Sequence, residues 1–313
     1  MSTDPCDVNM PLRDPYDRPI ISLRVSVTHR CNFSCFFCHQ EGESSPGAEM
    51  TPEEIGKIVD VAAELGVKKI KITGGEPLIR DDIVDIIRRI SSSVEEVSMT
   101  TNASRLAELA APLKAAGLAR VNVSFHTLHP EVFRDVTCSD EIEAVKQGIK
   151  AAIRVGLTPL KLNFVVMKGV NEGEIPEMLR FSAETGAVLQ LIEYQALERG
   201  VNGFGDHHFD LSPLEESWSQ QATRIVEREM HHRHQYTLPG GAVVEVVRPM
   251  HNTIFCANCN RLRLTSDGKL KPCLMRDDNL IPIADLIRRG EPRERLVEAF
   301  KEAVARRVPY WRN

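Results

Sequence analysis

No apolar run in this 313-residue chain is long enough to span a bilayer; the longest, within residues 160–167, falls far short of the roughly 20 residues a membrane helix needs. The opening stretch, residues 1–18, is polar and rich in Asp, Arg and Pro, so the apolar core of a secretory signal is missing. Disulfide pairing in an oxidising compartment is therefore not expected, and a soluble cytoplasmic protein is. A large basic excess is also lacking, the formal charge being -5, which disfavours nucleic acid as an extended partner. One local exception, the His/Arg-rich patch at residues 228–234, reads as a solvated helix end rather than as a metal or phosphate site. There is no low-complexity segment, and no internal repeat beyond an alternation of strands and helices.

That alternation sets the fold class. Short Val- and Ile-rich runs at residues 21–27, 69–73, 96–101, 120–125, 160–167 and 188–194 read as buried parallel strands. Helices are expected at 51–65, 82–90, 103–116, 131–136, 142–155 and 173–185. The first of these opens on Thr51-Pro52-Glu53-Glu54, which offers an N-cap, an N1 proline and a capping-box glutamate, and it ends at Gly66. Six strand-helix units predict an α/β protein, either a doubly wound open sheet or, as favoured here, a partial (β/α)6 TIM-like barrel. Its chemistry should sit at the strands' C-terminal ends. The regularity ends near residue 196. Residues 197–313 then read as a separate C-terminal module covering the barrel mouth, with a hairpin over 236–247 turning at Pro239-Gly240-Gly241 and a closing helix over 294–307.

Six of the eight cysteines fall into two sets of three, Cys31, Cys35 and Cys38 near the front and Cys256, Cys259 and Cys273 near the back. Structural zinc sites and ordinary electron-transfer clusters are closed by four protein ligands, whereas three leave one metal position open to a small molecule. Phe33, Phe36 and Phe37 would form a dry collar around the first set, which reads as an iron-sulfur site. The second set, taken alone, suits zinc and iron-sulfur equally, and His251 would complete a zinc shell. Beside the first set, the iron-sulfur reading is favoured. Cys6 and Cys138 stand alone and read as ordinary thiols.

Cys31-x3-Cys35-x2-Cys38 after a strand ending Val27-Thr28-His29-Arg30, with Gly74-Gly75-Glu76-Pro77 after the next strand, resembles the radical S-adenosylmethionine superfamily. The resemblance implies a [4Fe-4S] cluster whose open iron chelates the methionine portion of S-adenosylmethionine. Glu76 would serve its ammonium group, and the glycines would permit close backbone approach. The stretches 23–28, 69–78, 100–102 and 121–124, with the cysteine hairpin from Cys256 through Arg261-Leu262-Arg263 to Cys273, are similar to the GTP 3',8-cyclase family of molybdenum cofactor biosynthesis.

That likeness implies a second [4Fe-4S] cluster binding the purine of GTP opposite S-adenosylmethionine. It implies GTP contacts at Arg24, Lys71, Thr100, Lys161, Arg261, Leu262 and Arg263, and S-adenosylmethionine contacts at Phe37, Gly74, Gly75, Glu76, Ser124 and Gln195. No side chain is expected to act as a nucleophile. A triphosphate does need several cations, with Arg suited to bidentate recognition. The implied reaction removes hydrogen from ribose C3' by a 5'-deoxyadenosyl radical, joins C3' to guanine C8, and yields (8S)-3',8-cyclo-7,8-dihydroguanosine 5'-triphosphate. The implied partners are a reductant or ferredoxin/flavodoxin-type electron donor and the cyclic pyranopterin monophosphate synthase downstream, with a homodimer by analogy.

The chain departs from the family pattern in places. Its end, Tyr310-Trp311-Arg312-Asn313, lacks the terminal Gly-Gly pair of several members; Phe37 stands where Tyr is common, and Lys71 and Gln190 where Arg is frequent. His39-Gln40-Glu41-Gly42 after the first set resembles archaeal members. Two rival readings remain, a peptide-modifying radical enzyme and a non-catalytic scaffold holding zinc at both sites. Arg261 and Arg263 directly after the Cys-x2-Cys pair argue against the first.

Overall fold

A computed structural model describes residues 10–43, 47–195 and 207–312. Cys6 and the boundary expected at 196–197 lie outside the described residues. The six expected strands form to within one residue at either end: β1 (Ser22–Ser26), β2 (Lys69–Thr73), β3 (Glu96–Thr101), β4 (Arg120–Ser124), β5 (Lys161–Val166) and β6 (Val188–Glu193). Each pairs in parallel with the next. Every step between them is a helical crossover, the arrangement that buries both faces of a parallel sheet.

The first crossover helix, α1 (Pro52–Glu64), forms where its cap is written. The Glu54 N–H donates to Thr51 Oγ1 at 3.2 Å and the Thr51 N–H donates to Glu54 Oε2 at 2.8 Å. Its inner face, including Ile55, Ile58, Val59 and Ala62, is wholly buried against the sheet. Then come α2 (Ile83–Ile90), α3 (Leu106–Ala115), α4 (Pro130–Thr137), α5 (Ile142–Arg154) and α6 (Ile175–Thr185). The third begins later than the expected residue 103. Ala103 takes a left-handed φ of 64°, and the Ser104 N–H donates to Asn102 Oδ1 at 3.0 Å, so a side-chain turn displaces the first helical turn.

The C-terminal segments continue this sheet at both edges. After α7 (Ser212–Gln221) and β7 (Arg224–Glu227), the expected hairpin forms as β8 (His234–Thr237) and β9 (Val243–Val247), and β9 pairs in parallel with β6. The short α8 (Thr253–Ala257) leads into β10 (Arg261–Leu264), which pairs in parallel with β1, and β11 (Lys269–Lys271) turns back along it. β12 (Ile281–Pro282), α9 (Ala284–Arg288) and α10 (Arg293–Ala305) complete the order β12-β11-β10-β1-β2-β3-β4-β5-β6-β9-β8-β7. Residues of β1, β3, β4, β5, β6 and β10 line one cavity, so the sheet curls around it as a partial barrel.

The 228–234 patch is not a helix end. It links β7 to β8 through a single turn at Met230–His232, His231 is buried, and the Arg233 guanidinium is 2.6 Å from Glu245. No helix among the described residues is long and apolar enough to cross a membrane. If the capping box holds α1 in place, Thr51→Ala should cost about 1 kcal/mol of stability in urea denaturation, and an unchanged midpoint would show that packing alone fixes the helix.

Candidate active site

Strand direction decides where the two cysteine sets fall. Cys31, Cys35 and Cys38 follow β1 and lie at the C-terminal ends of the parallel strands. Cys256 and Cys259 precede β10, which runs parallel to β1, and Cys273 follows the antiparallel β11, so the second set lies at the N-terminal ends. All six nevertheless line the same cavity, of about 380 Å3. The expectation that the chemistry clusters at C-terminal strand ends therefore describes the first set alone.

The first cysteine loop rests on the Gly74-Gly75 pair. Gly75 N–H donates to Thr28 O at 2.7 Å and Glu76 N–H to Arg30 O at 2.8 Å. A Cβ on Gly75 would come within 2.1 Å of Arg30 O, and one on Gly74 within 2.4 Å of Thr28 O. Loop backbone is thus what these glycines admit closely, and both also face the cavity. Phe33 N–H and Gln40 N–H donate to the sulfurs of Cys31 and Cys38 at 3.4 Å. Phe33 packs edge-on to Phe133 and Phe37 edge-on to His126, but Phe36 is 38% exposed beside His207 and Cys31 and Cys38 are themselves exposed, so the expected dry collar does not close around the loop. Burial raises all three thiols, Cys35 to about 12 with Cys38 and Cys31 adding to the effect; such a set favours a cation that draws off its protons.

In the second set, Cys256 sits on α8, whose N-cap Asn252 accepts the Phe255 N–H at 2.9 Å. Buried Asp14 accepts from Arg18 Nε at 2.7 Å and Arg307 Nη1 at 2.6 Å, and these arginines donate to the carbonyls of Cys256 and Cys259 at 2.8 and 2.7 Å. Burial by itself would raise the Cys259 thiol, but the Arg307 and Arg261 guanidiniums bring it below its ordinary value. Trp311 N–H donates to Cys256 Sγ at 3.5 Å, and its ring packs on His251. Among the described residues, no three His, Cys, Asp or Glu side chains converge on a single-ion position.

Between the two sets stand Arg24, Thr100, Arg261 and Arg263, with Phe37, Glu76, Ser124 and Gln195 toward the first set. Arg24 Nε, Thr100 Oγ1 and Arg261 Nε are buried without a hydrogen-bond partner. Orphaned donors of this kind suit a polar, anionic ligand. Glu76 is buried and accepts from Leu78 N–H, Thr101 Oγ1 and Asn102 N–H at 2.9, 2.6 and 2.6 Å, while burial still lifts it to about 7. It organises two strand-end turns, so its carboxylate is not free for an ammonium group alone. Burial also drops His126 to about 3, leaving a neutral ring whose Nδ1 accepts the Val165 N–H.

Three expected contacts do not reach the cavity wall. Lys71 Nζ donates to Asn122 Oδ1 at 3.0 Å, and its charge is disfavoured by burial and by Arg120 and Arg24. Lys161 pairs with buried Glu245, burial bringing it to about 8 against that pairing. Each stands two residues before a lining residue, Thr73 and Asn163, on the same strand face. Leu262 is fully buried because alternation turns it away from Arg261 and Arg263 into the core. Conversely, Arg233, His231, Asn122, Glu41 and His39 line the cavity without having been singled out as ligands. The His/Arg-rich patch at residues 228–234 was the available signal for the first two.

The curled parallel sheet and its three-cysteine loop define a radical S-adenosylmethionine protein. The Radical SAM superfamily model matches residues 25–182, and Molybdenum Cofactor Synthesis C matches 187–312. A Streptococcus suis SuiB structure bound to S-adenosylmethionine superposes with TM-score 0.62 at 18% identity, over 90% of this chain and 67% of that one. Native anSMEcpe with AdoMet and a peptide gives 0.60 at 18%, over 84% and 76%. The chain belongs to the GTP 3',8-cyclase family. It is 50% identical to the probable GTP 3',8-cyclase of Thermococcus kodakarensis over 96% of its own length and 100% of that protein, and 49% identical to that of Methanothermobacter marburgensis over 97% and 100%. Superfamily membership brings with it S-adenosylmethionine and a [4Fe-4S] cluster.

Glu245 anchors the cavity floor, accepting from Gln190 at 2.8 Å and Gln235 at 2.9 Å besides its ion pairs with Lys161 and Arg233. Burial would raise its carboxyl, but Arg233 and Lys161 lower it from 4.5 to about 2. A depressed carboxyl contributes stability above its unfolded value and loses it as pH falls toward the folded one. Glu245→Gln should therefore cost about 3 kcal/mol at pH 7, shrinking as pH falls from about 4.5 toward about 2 in urea denaturation series. A pH-independent cost would assign Glu245 a packing role only.

Proposed function

We propose that this protein is a radical S-adenosylmethionine GTP 3',8-cyclase, a lyase for the first step of molybdenum cofactor biosynthesis. The observation that carries this reading is the single cavity bounded at opposite ends by three cysteines each, with orphaned Arg24, Thr100 and Arg261 donors between them. The first set would hold the cluster that binds S-adenosylmethionine, and Cys256, Cys259 and Cys273 a second [4Fe-4S] cluster facing the guanine. When bound, these groups supply one-electron cleavage of the sulfonium carbon-sulfur bond and, with it, hydrogen abstraction from the ribose.

The chain's own residues then orient and enclose. Arg24, Arg261 and Arg263 hold the triphosphate, Thr100 hydrogen-bonds the nucleotide, and Lys71 and Lys161 add positive charge from the layer beneath. Phe37, Gly74, Gly75, Ser124 and Gln195 line the S-adenosylmethionine end, with Glu76 bracing its strand turns. Phe33 and Phe37 pack beside the first loop and shape that end of the cavity. No side chain needs to act as a nucleophile, because fixing ribose C3' near guanine C8 is the main contribution. The core through residue 196 would supply the first set and the module from 197 the second. A ferredoxin- or flavodoxin-type donor, a downstream cyclic pyranopterin monophosphate synthase and a homodimer complete the expectation by analogy.

Oxygen-free incubation of the iron-loaded protein with reductant, S-adenosylmethionine and GTP should yield 5'-deoxyadenosine and a cyclised nucleotide; 5'-deoxyadenosine without any GTP-derived product would reject the substrate. Arg261→Ala and Arg263→Ala should each lower kcat/KM for GTP at least about 30-fold, the equivalent of roughly 2 kcal/mol, while keeping the iron content of the parent protein. Unchanged turnover in both would remove the triphosphate from this wall.

A further inference from the structure

The two arginines that face each other across the β1–β10 pair are not free to wait for a phosphate. Arg24 and Arg263 are Cα partners in that register, and a single carboxylate joins them. Glu41 Oε1 accepts from Arg24 Nη1 at 3.0 Å and from Thr73 Oγ1 at 2.9 Å, while Oε2 accepts from Arg263 Nη1 at 2.5 Å. All three charged side chains are under one-fifth exposed, so their interaction is screened little by solvent. Two guanidiniums sharing the oxygens of one planar anion is also the way arginines hold phosphate.

Glu41 differs from the other carboxylates near the cavity. Glu76 is committed to Leu78, Thr101 and Asn102, and Glu193 accepts from Leu211 N–H. Glu245 is fully buried in the middle of β9 and does not line the cavity. Glu41 lies instead on a one-turn segment, Gln40–Gly42, held by Gly42 N–H to His39 O at 2.7 Å and Glu43 N–H to Gln40 O at 3.0 Å. Within it Gln40 and Glu41 take left-handed φ values of 48° and 52°, which non-glycine residues adopt only under constraint. Behind the turn a second, small cavity is lined by Arg24, Arg263, Glu41, Glu43 and Lys271, where Lys271 Nζ donates to Gly42 O at 2.8 Å and is ion-paired with Asp277.

We propose that Glu41 is a place-holding counter-ion, occupying the phosphate position between Arg24 and Arg263 and withdrawing with its turn when the substrate's polyphosphate takes that position. The inference rests on the nucleotide reading above and deepens it. Glu41 and a phosphate cannot both sit between the same two guanidiniums, since like charges at that separation repel strongly in a partly buried site. The arginines are held apart from each other and aimed inward before substrate arrives. The cost is competition, because every phosphate contact at Arg24 or Arg263 replaces a carboxylate contact. Selectivity for a long anionic chain follows, since a nucleoside without phosphates leaves Glu41 where it is.

Titration calorimetry of the cluster-loaded protein under nitrogen, with inorganic triphosphate, GTP and guanosine as probes, tests this directly. Glu41→Gln should bind inorganic triphosphate and GTP about tenfold more tightly than the parent chain, with guanosine unchanged. Thr73→Val, which removes one hydrogen bond to Glu41, should tighten triphosphate by a smaller factor. Weaker or unaltered triphosphate binding in Glu41→Gln overturns the proposal, as does equal tightening of guanosine, or a loss confined to magnesium-containing buffer, which would make Glu41 a cation ligand. If Glu41→Gln does not accumulate as folded protein, Thr73→Val decides alone: tightening supports the placeholder, and anything else overturns it. A parent chain that binds neither GTP nor triphosphate fails the nucleotide reading itself, whereas normal GTP binding with an unresponsive Glu41→Gln fails only the placeholder.

Discussion

The parallel pairing of β10 with β1 is the constraint on which the site depends. It joins the last third of the chain to the first strand of the barrel, in a register that sets Arg261 beside Ser22 and Arg263 beside Arg24. Because the strands run the same way, the cysteines before β10 come out at the opposite end of the sheet from those after β1. One backbone ladder therefore fixes the separation of the two cysteine sets, the direction in which Arg261 and Arg263 point, and the length of the cavity between them. An antiparallel pairing would have put Cys256 and Cys259 at the same end as Cys31.

A cavity walled by so many cations needs internal anions, and among the described residues Asp14, Glu245 and Glu41 each bridge two cations in or behind that wall. Asp14 joins Arg18 to Arg307 beneath the second cysteine set, Glu245 joins Lys161 to Arg233 at the floor, and Glu41 joins Arg24 to Arg263 in the wall. A buried ion pair is weak evidence of net stability, but removing one partner leaves an unpaired charge that is costly. The bridges are thus better understood as fixing where the guanidiniums point. Their positions sort them: Asp14 and Glu245 are fully enclosed, and only Glu41 borders the open cavity.

Much of this was legible in the sequence, and the parts that were not share a cause. Strand limits followed from Val- and Ile-rich runs, and α1 from its capping box, since both signals are local. The packing of the Cys31, Cys35 and Cys38 loop beside Gly74-Gly75 was foreshadowed by the motif, although those glycines are explained first by the loop backbone lying on them. What the sequence could not disclose was pairing between distant segments. Nothing near residue 261 announces that it will lie beside residue 22, so the second cysteine set could not be placed at the strands' N-terminal ends. For the same reason Arg233 and His231 read as a solvated helix end although the β7–β8 connection turns them toward the cavity, and the role of Glu41 was not legible because its partners are 17 and 222 residues away. Lys71 and Lys161 failed to reach the cavity by one strand layer, a depth that alternation alone does not reveal.

The central claim is that each cysteine set leaves an iron open toward one end of a common cavity. Electron-nuclear double resonance on reduced, oxygen-protected protein, with 15N-labelled GTP and with S-adenosylmethionine labelled in its amino and carboxylate groups, addresses it most directly. The account predicts coupling from the methionine labels to one cluster and from guanine nitrogen to the other. Coupling of both labels to the same cluster, or a second centre whose irons are all held by amino-acid donors, would contradict it.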